Sequence, residues 1–297
     1  MHRDVGRPMV KTAGVERDAG NDPSAAVRFE HGLDCDLFAL DRLDHLLVSA
    51  PGHDGQVKLA DSGLERPDQR PRYDRRMAPL DRDLFDRRLH VHIYGVHVWG
   101  PPELRAACDE LLSRVAPAGD CHKPVSVIRV FSPGVPWPYH AEGEHYVNCA
   151  VGGRNVWHVR DRAALDQREH EGITHGRPFF ALRDRPEEVS DLAPGEGLVL
   201  PGRFPHYVEH PGDEPAVSLC VGWWTRASIA ERKVHDVNYA LRRLRLAPAA
   251  PGHARRDAAK RCAFDTMSFV TGKGRAFRGL HGIGLPIYYE QALTLMG

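Results

Sequence analysis

Lysine is scarce in this chain of 297 residues, and neither sign of charge dominates. Lysine and arginine together number 40, aspartate and glutamate also number 40, and the formal net charge is zero. Proteins that bind nucleic acid or anionic membranes normally carry a basic field. The balanced charge therefore argues against nucleic acid and membrane as partners, and leaves a small molecule as the expected one.

Long apolar runs and paired cysteines are also missing. No stretch reaches the roughly 18–20 apolar residues that a membrane-spanning helix needs, and the N-terminus lacks the apolar core of a secretion signal. The six cysteines are scattered without a CxxC pair, which is typical of reduced, mostly buried thiols. These absences predict a cytoplasmic globular protein, long enough to bury a sizeable core.

The pattern of apolar, polar and turn-forming residues divides the chain into four regions. Short β-rich runs, such as "PVSVIRVF", "HYVNCAV", "NVWHV", "PFFAL" and "AVSLCVGWW", are separated by Gly and Pro turns in the middle of the chain, a pattern of an antiparallel sandwich or barrel. The predicted regions are a flexible N-terminal arm over 1–28, a helical and strand region over 29–123 that packs on the barrel, a barrel core over 124–226, and a C-terminal helical region over 227–297 that could form a homodimer contact.

Three elements are predicted ahead of the core. Helical spacing of apolar residues predicts one helix over 35–50, capped by Asp36, and a second over 102–116. The stretch 87–99 alternates as a strand does. Its histidines include the pair HxH, but no third ligand follows at a compatible spacing, so they are expected on the strand surface.

The stretch "SPGVPWPYHAEGEHYVNCAV" places His140 and Glu142 two residues apart. Residues i and i+2 of a strand point to the same side of a sheet. An imidazole and a carboxylate on one face are two of the three ligands of a non-haem iron site. A third candidate, His206, follows a strand and a turn in "GEGLVLPGRFPHYVEH", 64 residues after Glu142.

Both stretches resemble the two cupin motifs, as Gly134-x5-His140-x-Glu142 and Gly195-x5-Pro201-x4-His206. More narrowly, the chain over about 33–261 resembles the JmjC-like cupin oxygenases of the cupin-8 type. The resemblance implies a mainly β fold with flanking helices, a double-stranded β-helix of the jelly-roll kind. It also implies Fe(II) held by the three catalytic residues His140, Glu142 and His206. A metal-free barrel remains the alternative.

The chain departs from this family where 2-oxoglutarate binds. The family holds that co-substrate with a Thr three residues before the first His, a Lys two after a turn Gly, and an Asn six after the His. Here the positions read Trp137, Asn155 and Tyr146. Because burying an unpaired carboxylate costs several kcal/mol, we expect an oxygenase that does without 2-oxoglutarate.

Seven residues are predicted to bind substrate. Arg129 could face the barrel interior and grip an anion, or it could face solvent on an edge strand. Tyr146, Asn148 and Asn155 would form a polar wall of the pocket. Trp137 and Tyr139 would form an aromatic lip at its mouth, and His145 would have an acid/base or supporting role.

The expected function is that of a mono- or dioxygenase, with an organic substrate that chelates iron directly. The composition suits the tailoring of a secondary metabolite. Three alternatives stay open: a 2-oxoglutarate hydroxylase with a relocated site on Arg129, a protein-modifying JmjC-like hydroxylase, and a metal-binding cupin without catalysis.

Overall fold

Two antiparallel sheets form the centre of the molecule. The computed structural model describes residues 25–48, 57–61, 72–74, 80, 82–175 and 186–270, so most of the predicted arm lies outside the described residues. The larger sheet has the order β1-β10-β7-β12-β5-β4-β2-β3 and the smaller the order β6-β11-β8-β9. Their strands are β1 (Val27–Glu30), β2 (Val57–Asp61), β3 (Arg72–Asp74), β4 (Leu89–Tyr94), β5 (His122–Phe131), β6 (Trp137–His140), β7 (His145–Gly152), β8 (Asn155–Val159), β9 (Glu188–Leu192), β10 (Glu196–Leu200), β11 (His206–Glu209) and β12 (Ala216–Trp224).

Along the chain, helices lie between the strands and after the last strand. They are α1 (Leu40–Val48), α2 (Arg82–Asp86), α3 (Val96–Trp99), α4 (Pro102–Val115), α5 (Gln167–Gly172), α6 (Arg226–Arg243) and α7 (Ala254–Val270). Four strands of each sheet, β10-β7-β12-β5 and β6-β11-β8-β9, face each other as a double-stranded β-helix. The predicted fold class, mainly β with flanking helices, is confirmed.

Alternation along β5 separates two cores. Ile128 and Val130 pack with Leu104 and Leu111 of α4 in a cluster on the outer face of the larger sheet. Phe131 belongs instead to the cluster inside the barrel. Because side chains alternate along a strand, Arg129 shares the inner face with Phe131.

Several local predictions need correction. The predicted strand over 87–99 ends at Tyr94, because Gly95 adopts a positive φ of 75° and starts the short helix α3. The first predicted helix is divided into a 3-10 turn over Cys35–Phe38, capped by Asp34 rather than Asp36, and α1. The predicted run "PFFAL" lies outside the described residues. Within the described ranges, no helix is long and apolar enough to cross a membrane.

Candidate metal centre

Strand pairing brings the two candidate histidines together. His140 is the last residue of β6 and His206 the first of β11, and they are direct partners in the antiparallel register. Such partners have closely spaced side chains on one face, and the two ring centroids are 4.3 Å apart. Residues that lie 66 positions apart in the chain are therefore adjacent at one end of the barrel.

Glu142 completes the cluster from the loop after β6. Its Oε1 lies 3.1 Å from His140 Nε2, and its Oε2 lies 3.5 Å from His206 Nε2. The loop is held by the backbone N–H of Arg203, which donates to the Glu142 carbonyl at 2.7 Å. Among the described residues, these three side chains form the one group of three or more His, Cys, Asp or Glu residues whose ligand atoms all lie within 4.8 Å of one another.

Backbone carbonyls fix the orientation of both rings. His140 Nδ1 lies 2.7 Å from the Pro138 carbonyl and His206 Nδ1 lies 2.9 Å from the Phe204 carbonyl. A carbonyl only accepts, so each Nδ1 carries the proton and donates it. Both Nε2 lone pairs then face the Glu142 carboxylate, which is the arrangement that metal-ligating histidines adopt.

The charge states of the cluster also suit a cation. Burial, with a smaller effect of His140, lowers the pKa of His206 to about 3, so the ring is neutral at ordinary pH. Burial raises the pKa of Glu142, but His140, His206 and Arg129 together hold it below its usual range. A neutral imidazole and an ionised carboxylate are the forms that bind metal.

The donor set fits a divalent transition metal. Two imidazoles and one carboxylate on one side are the facial set of non-haem Fe(II) sites. Glu142 Oε2 is buried and accepts no hydrogen bond from the described residues, so this oxygen is available to a cation. That His140, Glu142 and His206 bind iron remains a prediction, for which the geometry is suitable.

Arg129 lies inside the barrel beside this cluster. Its side chain is 9 % exposed, and its Nη2 donates to Glu142 Oε1 at 3.3 Å. The alternative that Arg129 faces solvent is therefore wrong. Its Nε is buried and has no hydrogen-bond partner in the described part of the chain.

Trp137 and Tyr146 also contact the cluster. The indole N–H of Trp137 donates to His140 Nε2 at 3.2 Å, and the Tyr146 hydroxyl lies 2.6 Å from His206 Nε2. Burial, with a contribution from Glu142, raises the pKa of Tyr146 well above its usual value, so the phenol stays protonated and donates. Both predicted pocket residues thus lie against the candidate ligands.

Asn148 and Asn155 lie deeper in the barrel. Asn148 Nδ2 donates to Cys220 Sγ, and Ser218 Oγ donates to Asn155 Oδ1 at 3.5 Å. The neighbours on β12, Ser218 and Cys220, were not among the predicted site residues. Their spacing of two in "AVSLCVGWW" was the available signal, since it puts both on one face of the strand.

Tyr139 and His145 are not brought to the candidate ligands. Tyr139 packs on the other face of the smaller sheet with Tyr207 and Leu165, so its predicted place at the pocket lip is wrong. His145 lies at the barrel end, where its ring stacks on Trp223 and its Nδ1 accepts from the Gly202 N–H at 3.2 Å.

Three further histidines occupy the barrel interior. His90 and His92 are fully buried and His210 is 2 % exposed. His210 stacks on Phe131 with ring centroids 3.9 Å apart. The prediction that His90 and His92 lie on a strand surface is wrong, because aromatic side chains such as Phe131 and Trp137 pack against both rings inside the barrel. The HxH spacing alone did not reveal this.

No protein-family model matches the chain, and no curated protein matches it. Among solved structures, the ribosomal oxygenase YcfD of Escherichia coli is similar at 17 % identity, over 86 % of this chain and 66 % of that one, with a TM-score of 0.46. YcfD in complex with cobalt and 2-oxoglutarate is similar at 16 % identity, over 87 % and 66 %, with a TM-score of 0.45.

The oxalate decarboxylase OxdC of Bacillus subtilis is similar over a shorter stretch. A mutant of that enzyme matches at 21 % identity, over 35 % of this chain and 22 % of that one, with a TM-score of 0.26. The chain spans about two thirds of the length of the YcfD chains. Similarities at this level do not indicate an activity for this chain. The chemistry of the candidate metal centre follows from its own residues.

Proposed function

We propose that this protein is a non-haem Fe(II) oxygenase that uses O2 to oxidise or rearrange a small organic substrate. The observation that carries the proposal is the orientation of the two imidazoles. Both Nδ1–H groups donate to backbone carbonyls, and both Nε2 atoms face the Glu142 carboxylate inside a barrel. Iron held by three facial ligands has open positions at which O2 and an organic ligand can bind together.

The barrel interior favours an acceptor-rich, anionic substrate group. Three buried donors there have no hydrogen-bond partner among the described residues: Arg129 Nε, Asn155 Nδ2 and Trp157 Nε1. Two acceptors nearby, Asn148 Oδ1 and Glu142 Oε2, are in the same condition among the described residues, and Glu142 Oε2 is the one assigned to the metal. Buried polar groups are almost always paired, so a ligand with more acceptors than donors would satisfy this wall.

The charges support the same conclusion. Glu142 is the carboxylate beside Arg129, and it is also the one that would neutralise part of a divalent cation. With the metal bound, Arg129 would lose much of its compensation, and an unpaired buried cation is costly. A carboxylate or enolate of the substrate would supply the missing charge, with Arg129 orienting it. The Tyr146 hydroxyl, which lies 2.6 Å from His206 Nε2, would donate to the substrate instead once a metal takes that nitrogen.

We further propose that the substrate binds iron directly and that 2-oxoglutarate is not used. Asn155 is fully buried and supplies an amide where the related oxygenases carry a cation. The Trp137 indole is 2 % exposed and lies against His140, so its bulk takes space beside the metal position. The identity of the substrate as a secondary metabolite is a proposal from sequence alone.

One observation favours a second candidate. The buried guanidinium of Arg129 could pair with the distal carboxylate of 2-oxoglutarate in place of the missing lysine. This candidate is a 2-oxoglutarate-dependent hydroxylase with a relocated co-substrate site. A cupin that binds metal without catalysis is the third candidate, and it differs from both by consuming no O2.

The test begins with protein reconstituted with Fe(II) under anaerobic conditions. O2 uptake and succinate are then measured with and without 2-oxoglutarate, in the wild type and in Arg129→Leu. The proposal predicts no succinate from 2-oxoglutarate in either protein. Stoichiometric succinate that disappears in Arg129→Leu would contradict the proposal and favour the hydroxylase with a relocated co-substrate site. Failure of a metal-loaded protein to consume O2 across a panel of chelating acids would favour the non-catalytic cupin.

A further inference from the structure

A polar cavity lies at the end of the barrel that carries the candidate metal centre. Its volume is about 250 Å3, and it lies between the loop after Glu142, the loop before His206 and the first turns of α6. We call it the rim cavity; its polar and charged lining includes His145, Asp161, Arg162, Arg203, Ser228 and Glu231. Neither the predicted nor the proposed substrate contacts use Arg203.

The Arg203 side chain is buried and poorly paired. Its exposure is 2 %, and a guanidinium has five N–H donors to satisfy. Nη1 donates to the His170 carbonyl at 2.7 Å, whereas Nε lies 3.8 Å from Glu231 Oε2, beyond hydrogen-bond distance. Nη2 has no partner in the residues that the structure describes.

Glu231 compensates the charge of Arg203 only in part. Its Oε1 pairs with Arg162 and lies 3.5 Å from His235 Nε2, so one carboxylate serves several groups. Asp161, the other acid of the lining, is exposed and accepts from the Ala163 N–H. A buried cation without a close partner is strongly unfavourable, and Arg203 is one of the residues that line the rim cavity.

We propose that the rim cavity binds an oxyanion, a carboxylate or phosphate group of the substrate, on Arg203. The cavity is smaller than the roughly 300–1,000 Å3 of whole-ligand pockets, so it suits one end of a molecule. It also adjoins the metal ligands closely, since Gly143 follows Glu142 and the Phe204 carbonyl holds His206. That the bound molecule is the substrate rests on the proposed function; that an oxyanion binds Arg203 does not.

The substrate class that follows is an acid with two separated polar ends. One end would chelate iron beside Arg129, and a second carboxylate or a phosphate would reach Arg203. The competing explanation is that Arg203 is a structural strut which joins α5 to α6 through His170 and Glu231. The two explanations predict opposite effects of neutralising Glu231 on anion affinity. If an anion binds Arg203, Glu231 competes with it, and removing the Glu231 charge should tighten binding. If Arg203 has only a structural role, Glu231 holds it in place, and removing that charge should not tighten binding.

The experiment uses the metal-free full-length protein in the Arg129→Leu background, which removes the arginine of the barrel interior. Acetate and inorganic phosphate are titrated separately, with binding followed by calorimetry and by the rise in unfolding temperature. We expect one of these anions to bind with a dissociation constant on the order of millimolar. Arg203→Met should weaken it by roughly tenfold or more, the loss of a charge-assisted pair, and Glu231→Gln should tighten it.

Each result tests the binding of an oxyanion to Arg203 independently of iron binding. Acetate and phosphate distinguish a carboxylate from a phosphate end group. Equal anion binding in Arg203→Met and its Arg203 parent, weaker binding in Glu231→Gln, or binding of neither anion would overturn the proposal. Because no metal or O2 is present, a failure of iron binding leaves this measurement unaffected, and the reverse also holds.

Discussion

Arg129 Nη2 and Glu142 Oε1 lie 3.3 Å apart inside the barrel, so a buried cation shares its carboxylate with the candidate metal position. The two residues come from β5 and from the loop after β6, and the inward direction of Arg129 follows from the alternation that also directs Phe131 inward. The pair makes Arg129 an influence both on the metal and on any anionic ligand beside it.

Replacing Arg129 by Leu should separate these two influences. Removal of the positive charge beside Glu142 should leave metal binding intact or tighten it, by up to about tenfold, ~1.4 kcal/mol. Binding of an anionic substrate should weaken by ~1.5–3 kcal/mol, the range of charge-assisted hydrogen bonds. Fe(II) affinity is measured by competition with a chelator, and Arg129→Lys serves as the charge-conserving control. Loss of the metal in Arg129→Leu but not in Arg129→Lys would contradict this account.

Trp137 should matter for stability as well as for the pocket. It is 2 % exposed and packs on His92 with ring centroids 4.7 Å apart. Truncating a buried aromatic typically removes ~3–5 kcal/mol, so Trp137→Ala should lower the free energy of unfolding by that amount in urea. Trp137→Phe, which keeps most of the buried area, should lose much less. Equal losses in the two variants would show that packing is not the main role of this indole.

Gly202 should position the loop that carries Glu142. A Cβ at this residue would lie 2.7 Å from the Gly143 carbonyl oxygen and 3.1 Å from backbone atoms of Glu144. Those atoms belong to the backbone, so the loop itself has to move. Gly202→Ala should therefore weaken Fe(II) binding by roughly tenfold, as measured by anaerobic titration. Unchanged Fe(II) affinity in a folded Gly202→Ala protein would show that the loop tolerates the shift.

Acid should destabilise the fold through histidines that are buried in the neutral state. Burial, with a smaller effect of Arg88, lowers the pKa of His90 from 6.5 to about 3. The unfolded chain therefore binds a proton between these values that the folded chain does not, so stability is full above pH 6.5 and falls as the pH drops through this window. The contribution of His90 at pH 5 is a loss of about 2 kcal/mol.

His90→Gln tests this contribution. Its side-chain oxygen can still accept from the Ser132 N–H, as His90 Nδ1 does at 3.0 Å. The difference in unfolding free energy between pH 7.5 and pH 5 should shrink by about 2 kcal/mol relative to the wild type. An identical pH dependence in the two proteins would mean that His90 is protonated in the folded state at pH 5.

The sequence predicted the candidate ligands because their signal is local. His140 and Glu142 are two residues apart, and His206 follows a recognisable strand and turn, so motif spacing was sufficient to place them at one site. The alternation expected for the first pair does not apply, because β6 ends at His140 and Glu142 lies in the loop after it. The antiparallel barrel was predicted for the same reason, since short apolar runs between Gly and Pro turns are themselves local features.

The face on which a side chain lies, and whether other elements bury it, were harder to predict, since both depend on distant parts of the chain. Trp137 and Tyr139 are two residues apart, so regular alternation predicts one shared face, but an irregularity in the pairing of β6 with β11 puts them on opposite faces. His90 is buried because β4 extends the larger sheet and pairs with β5, a contact between segments about 40 residues apart. The burial and poor pairing of Arg203 have no sequence signal, as they depend on α5 and α6.

The most direct test of the central claim is an anaerobic Fe(II) titration of the wild type and of the triple variant His140→Ala, Glu142→Ala, His206→Ala. His122→Ala is a matched control, because that residue pairs with Asp120 away from the candidate metal centre. The account predicts near-stoichiometric iron in the wild type and the control, and none in a folded triple variant, since all three protein ligands are gone. Near-stoichiometric iron in the triple variant would contradict the assignment.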